Sequence, residues 1–330
     1  MADSKIIKIP TIMAFINPFS VVVRGNEEWK PTLDEINESS YDYVKLNRTS
    51  TAIDIGIAPL SMIVGFDGSL ILPCLKEYAD VNKAVDKFNE TLGYLLLGGI
   101  CVKATSPEDI SFGYINEYGY SKVVKAGGGQ ISSFHFAIRS RCGNPFESIR
   151  LMDPQIIKDR DLIIAYRKGQ KIFQKLTNIS PSVLIQSASY YISKQYTESL
   201  IFSWTTIEKI VNLIWDKEVI AKDEGNISTR KTLLKDFRTW TSAVRMDVLF
   251  QLHLLPTELY SSLTSTRKTR NNFMHNQNAI KSQHAEVALK SLMQLISLID
   301  SDFKTITLLD DVLDKIVSKK NLYLNSSRFC

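Results

Sequence analysis

Residues 282–300 read SQHAEVALKSLMQLISLID, and along them Ala285, Ala288, Leu289, Leu292, Met293, Leu295, Ile296 and Ile299 recur at helical spacing. At 3.6 residues per turn those positions form one broad apolar stripe, whereas a half-buried strand would alternate with period two. A helix with such a stripe needs neighbours to cover it, so the segment predicts a helical bundle rather than a lone element. Working back along the chain, the same periodicity predicts helices over 158–177, 182–194, 196–218, 230–250 and 257–275, with a further one over 308–319. Pro181 and Pro256 read as first-turn prolines, and Ser180 before Pro181 offers a cap. Links this short predict antiparallel neighbours.

Composition changes around Asp153-Pro154. Before that point the chain reads as mixed α and β. Val64 to Leu72 places Asp67-Gly68 between two apolar runs, a hairpin signal. Val81, Ala84, Val85, Phe88, Leu92, Leu95 and Leu96 then recur at helical spacing and stop at Gly98-Gly99. Ile131 to Arg141 alternates Phe134, Phe136 and Ile138 with His135 and Arg139, which predicts a strand with His135 and Arg139 opposite the phenylalanines. Gly127-Gly128-Gly129 ahead of it reads as a hairpin turn, without the Lys and following helix of a phosphate loop. The fold class expected is an α+β domain over 1–153 followed by an all-α antiparallel helical bundle over 154–330.

The chain has 330 residues, 44% of them hydrophobic and 23% charged, enough for two domains that each bury a core. A net charge of +5 suits a nucleic-acid partner without requiring one. Cys74, Cys101, Cys142 and Cys330 stand far apart with no CxxC pair, which argues against a structural zinc site. The N-terminal apolar run is broken by Pro10, Asn17 and Pro18 and lacks a cleavage site, and no stretch approaches the ~20 apolar residues of a membrane span. A cytoplasmic protein with no membrane partner is expected.

The chemistry concentrates in Thr266-Arg267-Lys268-Thr269-Arg270-Asn271-Asn272-Phe273-Met274-His275. RNA carries its own nucleophile: the 2′-hydroxyl attacks the adjacent phosphorus and leaves a 2′,3′-cyclic phosphate. An enzyme for that reaction needs a group that moves a proton near neutral pH, for which His is suited. It also needs a fixed cation on the phosphate, and a guanidinium grips it with two parallel hydrogen bonds where an ammonium cannot. Arg270 and His275 supply the two groups, and Asn271 can orient either. On an ideal helix they stand about 140° apart and ~7.5 Å along the axis, so one chain holds them splayed.

Arg270-Asn271 and His275, together with Tyr190-Tyr191 and the helix carrying Phe202, Trp204, Ile207 and Glu208 upstream, resemble the ApeA-like domains of the HEPN superfamily. The helix over 282–300 is similar to that family's closing helix, so the resemblance spans about 180–300. It implies a metal-independent endoribonuclease without a cofactor, with Arg270, His275 and Asn271 catalytic and Arg267 and Lys268 on the RNA. It also implies a homodimer through the helical domain, whose two motifs line one cleft. A bacterial defence or toxin effector is the biological setting it suggests, with the N-terminal domain binding an unknown activator or inhibitor. The residues after His275 are Asn276-Gln277-Asn278, without the nearby Tyr that is modified in some HEPN toxins. The alternative is a non-catalytic HEPN-type RNA-binding, sensor or dimerisation protein. Glu208, on the apolar edge of its helix, demands a partner and is either structural or supports the site. The cations from Arg230 to Arg238 are either a solvated face or part of an RNA track.

Overall fold

The computed structural model describes residues 7–57, 60–144, 148–223 and 227–299. The chain divides into two compact units, residues 1–168 and 169–330. The first is built on an antiparallel sheet and the second is helical. The division lies beyond the composition change at Asp153-Pro154, because the strand that follows Pro154 still belongs to the first unit.

In the first unit the strands are β1 (Lys8–Phe15), β2 (Ser20–Val23), β3 (Thr49–Ile57), β4 (Leu60–Gly65), β5 (Ser69–Pro73), β6 (Ser111–Asn116), β7 (Ser121–Lys125) and β8 (Gln155–Lys158). Six of them form an antiparallel sheet in the order β3-β4-β5-β1-β6-β7, while β2 and β8 pair in parallel as a separate ribbon. The helices are α1 (Leu33–Asn37), α2 (Tyr43–Leu46), α3 (Val81–Leu97) and α4 (Gln130–Ser140). The β4–β5 hairpin turns at Asp67-Gly68 as the sequence predicts, with Gly68 at φ +76°. A Cβ there would stand 2.9 Å from the Ser20 carbonyl oxygen, so both conformation and space require glycine. Helix α3 ends at Gly98, which lies so close to the Ala165 backbone that a Cβ would clash, and Gly99 then turns the chain at φ +101°.

The stretch 131–141 is not a strand but helix α4. Its first turn is fixed from outside the segment: Asp109 Oδ1 accepts the amides of Ile131 (3.1 Å) and Ser132 (3.4 Å). The alternation of Phe134, Phe136 and Ile138 is ambiguous, because positions four apart satisfy a period of 3.6 as well as one of two. On the helix Phe134 and Ile138 enter a core with Phe19, Val21, Trp29, Tyr41, Phe66 and Leu151, while Phe136 stays exposed. Gly129 is the residue that caps this helix, so the glycines lead into a helix and not across a hairpin.

Helix α5 (Asp159–Lys175) runs through the division. The second unit continues with α6 (Pro181–Ile192), α7 (Tyr196–Trp215), a π-helical turn at Asp216–Ile220, α8 (Ser228–Lys235), α9 (Ser242–Gln251), α10 (Thr257–Asn276) and α11 (Ser282–Ile299). The helix expected over 308–319 lies outside the described residues. Helix α7 is central: α6, α9, α10 and α11 all pack on it. Leu200, Trp204, Ile207, Val211 and Ile214 make its buried stripe, and Ser199 and Ser203 let neighbours approach closely, with Ser199 Oγ donating to the Ser187 carbonyl at 2.8 Å. The stripe read over 285–296 is buried throughout at Ala285, Ala288, Leu289, Leu292, Met293, Leu295 and Ile296. Among the described residues no helix is long and apolar enough to cross a membrane.

One helix expected over 230–250 is two. The chain leaves α8 at Asp236, whose carboxylate accepts the Arg238 amide (3.1 Å) and the Thr239 hydroxyl (2.7 Å). Thr241 then caps α9 by accepting from the Val244 amide at 3.4 Å. Short polar side chains that bond their own backbone compete with a continuous helix, and here they win. Pro256 occupies the cap position of α10, one residue before the first turn in which it was expected.

Candidate functional site

Helix α10 turns Leu259, Leu263 and Thr266 inward. Arg267, Arg270 and Asn271 follow on the flank of that buried face, half-buried, and there they line a pocket of about 410 Å³. Its other walls come from Trp204, Glu208 and Asn212 of α7, from Phe237, Trp240 and Thr241 in the break, and from Ser242, Ala243 and Arg245 of α9. The break after α8 therefore builds one wall. Three arginines and one carboxylate are among its lining residues.

The hydrogen bonds of the pocket leave donors over. Arg245 is only 6% exposed; its Nη1 donates to Asn212 Oδ1 at 2.6 Å, and its guanidinium lies 5.6 Å from the Trp215 ring centroid. Burial lowers its pKa, with Asp216 opposing the shift. Arg270 Nη1 donates to Asn271 Oδ1 at 3.1 Å. Glu208 accepts from the Ser242 hydroxyl at 3.1 Å, which supplies the partner its position demands. Yet Arg245 Nε, Arg267 Nε and Trp240 Nε1 are buried with no acceptor. A buried donor left unmade costs about 1–3 kcal/mol, and these three atoms lie in the pocket wall sealed from solvent.

The structure brings Arg270, Asn271 and Arg267 together but not the rest of the motif. Lys268 is exposed and outside the pocket lining. His275 is exposed in the last turn of α10, just before the left-handed cap at Gln277, and is likewise outside it. Arg245, Trp240 and Asn212 were missed by the sequence reading. Of the cations from Arg230 to Arg238, Arg230 is tied to Asp223 at 2.8 Å and Arg238 is exposed. Tyr191, Trp204 and Trp215 are core, while Tyr190 and Phe202 are half-buried and pack on each other at 5.1 Å.

A second ionic cluster lies in the first unit. Helix α4 puts His135 and Arg139 on one face, against Asp67 of the β4–β5 turn. Asp67 Oδ2 meets His135 Nδ1 at 2.8 Å and accepts Arg139 Nε at 2.8 Å; Oδ1 accepts Arg139 Nη2 at 2.7 Å. Arg139 also donates to the hydroxyls of Ser69 (2.9 Å) and Ser121 (3.2 Å), and His135 stacks on Phe15 at 3.9 Å. Burial would raise Asp67, but Arg139 and His135 hold its carboxyl well below the usual range. Burial keeps His135 below the ordinary imidazole value despite the Asp67 carboxylate. With every member about 95% buried or more and partnered, this cluster joins sheet to helix, and its Arg139 and Ser121 also line a pocket of about 760 Å³.

No family model matches the chain, and neither a curated protein nor a solved structure is detectably similar to it.

Proposed function

We propose that the helical unit is a HEPN-type domain that binds RNA and cleaves it without a metal. The observation that carries this reading is that Arg270 and Asn271 of the motif line one pocket with Arg267 and Arg245, against a single carboxylate. Arg270 holds the scissile phosphate in a bidentate grip, and Asn271, already bonded to Arg270 Nη1, sets the plane of the guanidinium. The 2′-hydroxyl gives its proton to a His275 imidazole as it attacks phosphorus. The 5′-oxygen leaves with a proton from a second imidazole, and a 2′,3′-cyclic phosphate remains. Because His275 stands outside the pocket of its own chain, the second imidazole comes from another copy in a homodimer formed through the helical unit.

The test is RNA cleavage by the full chain with and without EDTA. Arg270→Ala and His275→Ala are each expected to lower the rate at least about 100-fold. Arg270→Lys also fails, a 2′-deoxy residue at the cut site blocks reaction, and EDTA changes nothing. A requirement for Mg²⁺, equal cutting of DNA, or full activity in the double alanine variant would overturn the mechanism. The exposed position of His275 outside the pocket favours a second reading, an RNA-binding module without catalysis. That reading expects RNA to be retained uncut, and Arg270→Ala to weaken binding alone.

A further inference from the structure

The pocket of about 760 Å³ that Arg139 and Ser121 line belongs wholly to the sheet unit, between α2, the β6–β7 hairpin and α4. Its lining holds four aromatic rings, Tyr43, Tyr114, Tyr120 and Phe136, and no carboxylate. The Arg141 guanidinium lies 3.9 Å from the Tyr43 ring centroid, and the Lys8 ammonium 4.8 Å from that of Tyr114. Tyr120 (37% exposed) and Phe136 (38%) meet neither a ring nor a cation among the described residues. Aromatic faces left open in a concave pocket of this size fit a flat ligand, whose own ring covers them.

The polar groups narrow the ligand further. Asn47 Nδ2 donates to the Tyr43 carbonyl at 2.8 Å, which fixes that amide and leaves Oδ1 as an acceptor. Asn116 is held the other way round. Its Oδ1 accepts the amides of Tyr118 (3.1 Å) and Tyr120 (2.9 Å), so Nδ2 remains as a donor. Both side chains line the pocket, half-buried, and neither of the remaining groups has a partner among the described residues. An acceptor and a donor set among aromatic rings match a nucleobase, which presents both kinds of group along its edge. Arg139 is matched by Asp67, so among the described residues Lys122 is the one lining cation without a carboxylate. A nucleic-acid strand needs cations along its track of phosphates, and this lining does not supply them.

We propose that this pocket binds the base of a free nucleoside, phosphorylated or not, as a small-molecule ligand of the sheet unit. Tyr120 and Phe136 stack on the base. Asn47 Oδ1 accepts from an N–H of its edge, and Asn116 Nδ2 donates to a ring nitrogen or carbonyl. Every residue involved lies in the sheet unit, so the inference stands apart from the cleavage reading of the helical unit.

The experiment is calorimetric titration of the full chain with adenosine, guanosine, cytidine and uridine, with ribose as the base-free control. At least one nucleoside is expected to bind with a Kd below about 1 mM, and ribose is not. Nucleosides carry no phosphate for the arginines of the helical pocket, so Arg270→Ala should bind the same nucleoside equally well. Phe136→Ala and Tyr120→Ala each weaken it at least about fivefold, the lower end for one base–aromatic stack. Asn116→Asp keeps the acceptor that the turn amides use and removes the donor. It is expected to weaken binding about tenfold without lowering the unfolding midpoint. A 2′-O-methyl oligoribonucleotide should not displace the nucleoside. Failure of all four nucleosides to bind at millimolar concentration overturns the site. Binding untouched by both aromatic variants, or lost in Arg270→Ala, overturns it as well by placing the ligand elsewhere. Equal binding of ribose overturns the base as the recognised group, and displacement by the oligoribonucleotide overturns the free ligand in favour of a strand.

Discussion

The two units each bury arginine, and they treat it in opposite ways. In the sheet unit Arg139 directs its donors to Asp67, Ser69 and Ser121, so that a buried charge is matched on every side. In the helical unit Arg245 has one hydrogen bond to Asn212, and its Nε has none. A guanidinium closed on a carboxylate recovers the cost of burying its charge, whereas one with a donor left over carries that cost unmet. Burial alone therefore does not tell the two arginines apart; their hydrogen bonds do.

The sharpest way to break this contrast is to remove the matched cation. Arg139→Met leaves Asp67 as a buried carboxylate with only His135 and the Ser69 amide as partners, and loss of one partner of a buried pair costs about 3–5 kcal/mol. A large fall in denaturation midpoint is expected, together with partial recovery when Asp67→Leu is added, because replacing the whole pair is less destabilising than halving it. A small effect of Arg139→Met, or no recovery in the double variant, would show that the cluster does not hold sheet to helix.

The contrast was only half legible in the sequence. The helical stripes over 257–276 and 282–299 were readable because long amphipathic helices repeat their signal over several turns. Arg270, Asn271 and Arg267 came with them, on one helix and within a short span. Arg245 and Trp240 did not, because they reach the pocket only through the break at Asp236, and periodicity smoothed that break into one helix over 230–250. The Asp236 side chain bonding Arg238 and Thr239, followed by Thr241-Ser242 as a second start, is the local signal that separates the two helices. In the first unit the period-two reading of 131–141 placed His135 and Arg139 opposite a phenylalanine face with nothing to meet. Their spacing of four, read on a helix, would have paired them, but Asp67 and the capping Asp109 are distant in sequence, and no local pattern points to either.

Acid offers a second and smaller separation of the two sites. His135 faces Asp67, Arg139 and Arg150 and packs among Phe15, Phe19 and Phe134, and burial holds it below its ordinary value of 6.5. As pH falls below 6.5 the unfolded chain takes up a proton that the folded chain refuses, so stability present above 6.5 is lost. The loss continues until the lower folded value is passed. Asp67, also depressed, adds a second loss below 3.8 by the same sign. The urea midpoint of the sheet unit should therefore drop between about pH 7.5 and 5.5, and His135→Gln should flatten that drop while the acid step below 3.8 persists. An identical fall in both proteins would assign the acid response to other groups.

The smallest expected effect is the most telling. Arg245→Met replaces a cation that burial already disfavours with an apolar side chain of similar length, against Trp215 and inside a helical core. The substitution removes the hydrogen bond to Asn212, and against that stands relief from a buried, under-bonded charge. The two terms are each about 1–3 kcal/mol and opposite in sign, so the change in stability should lie within ~1 kcal/mol of zero and can be stabilising. Anion binding should meanwhile disappear. Parallel unfolding curves for Arg139→Met and Arg245→Met, measured without ligand and again with a 2′-O-methyl oligoribonucleotide, make the decisive set. In ligand the wild type should gain stability by mass action while Arg245→Met gains none. If Arg245→Met instead unfolds as readily as Arg139→Met and the oligoribonucleotide stabilises neither wild type nor variant, the unmatched arginine is structural, and the distinction drawn from its hydrogen bonds fails.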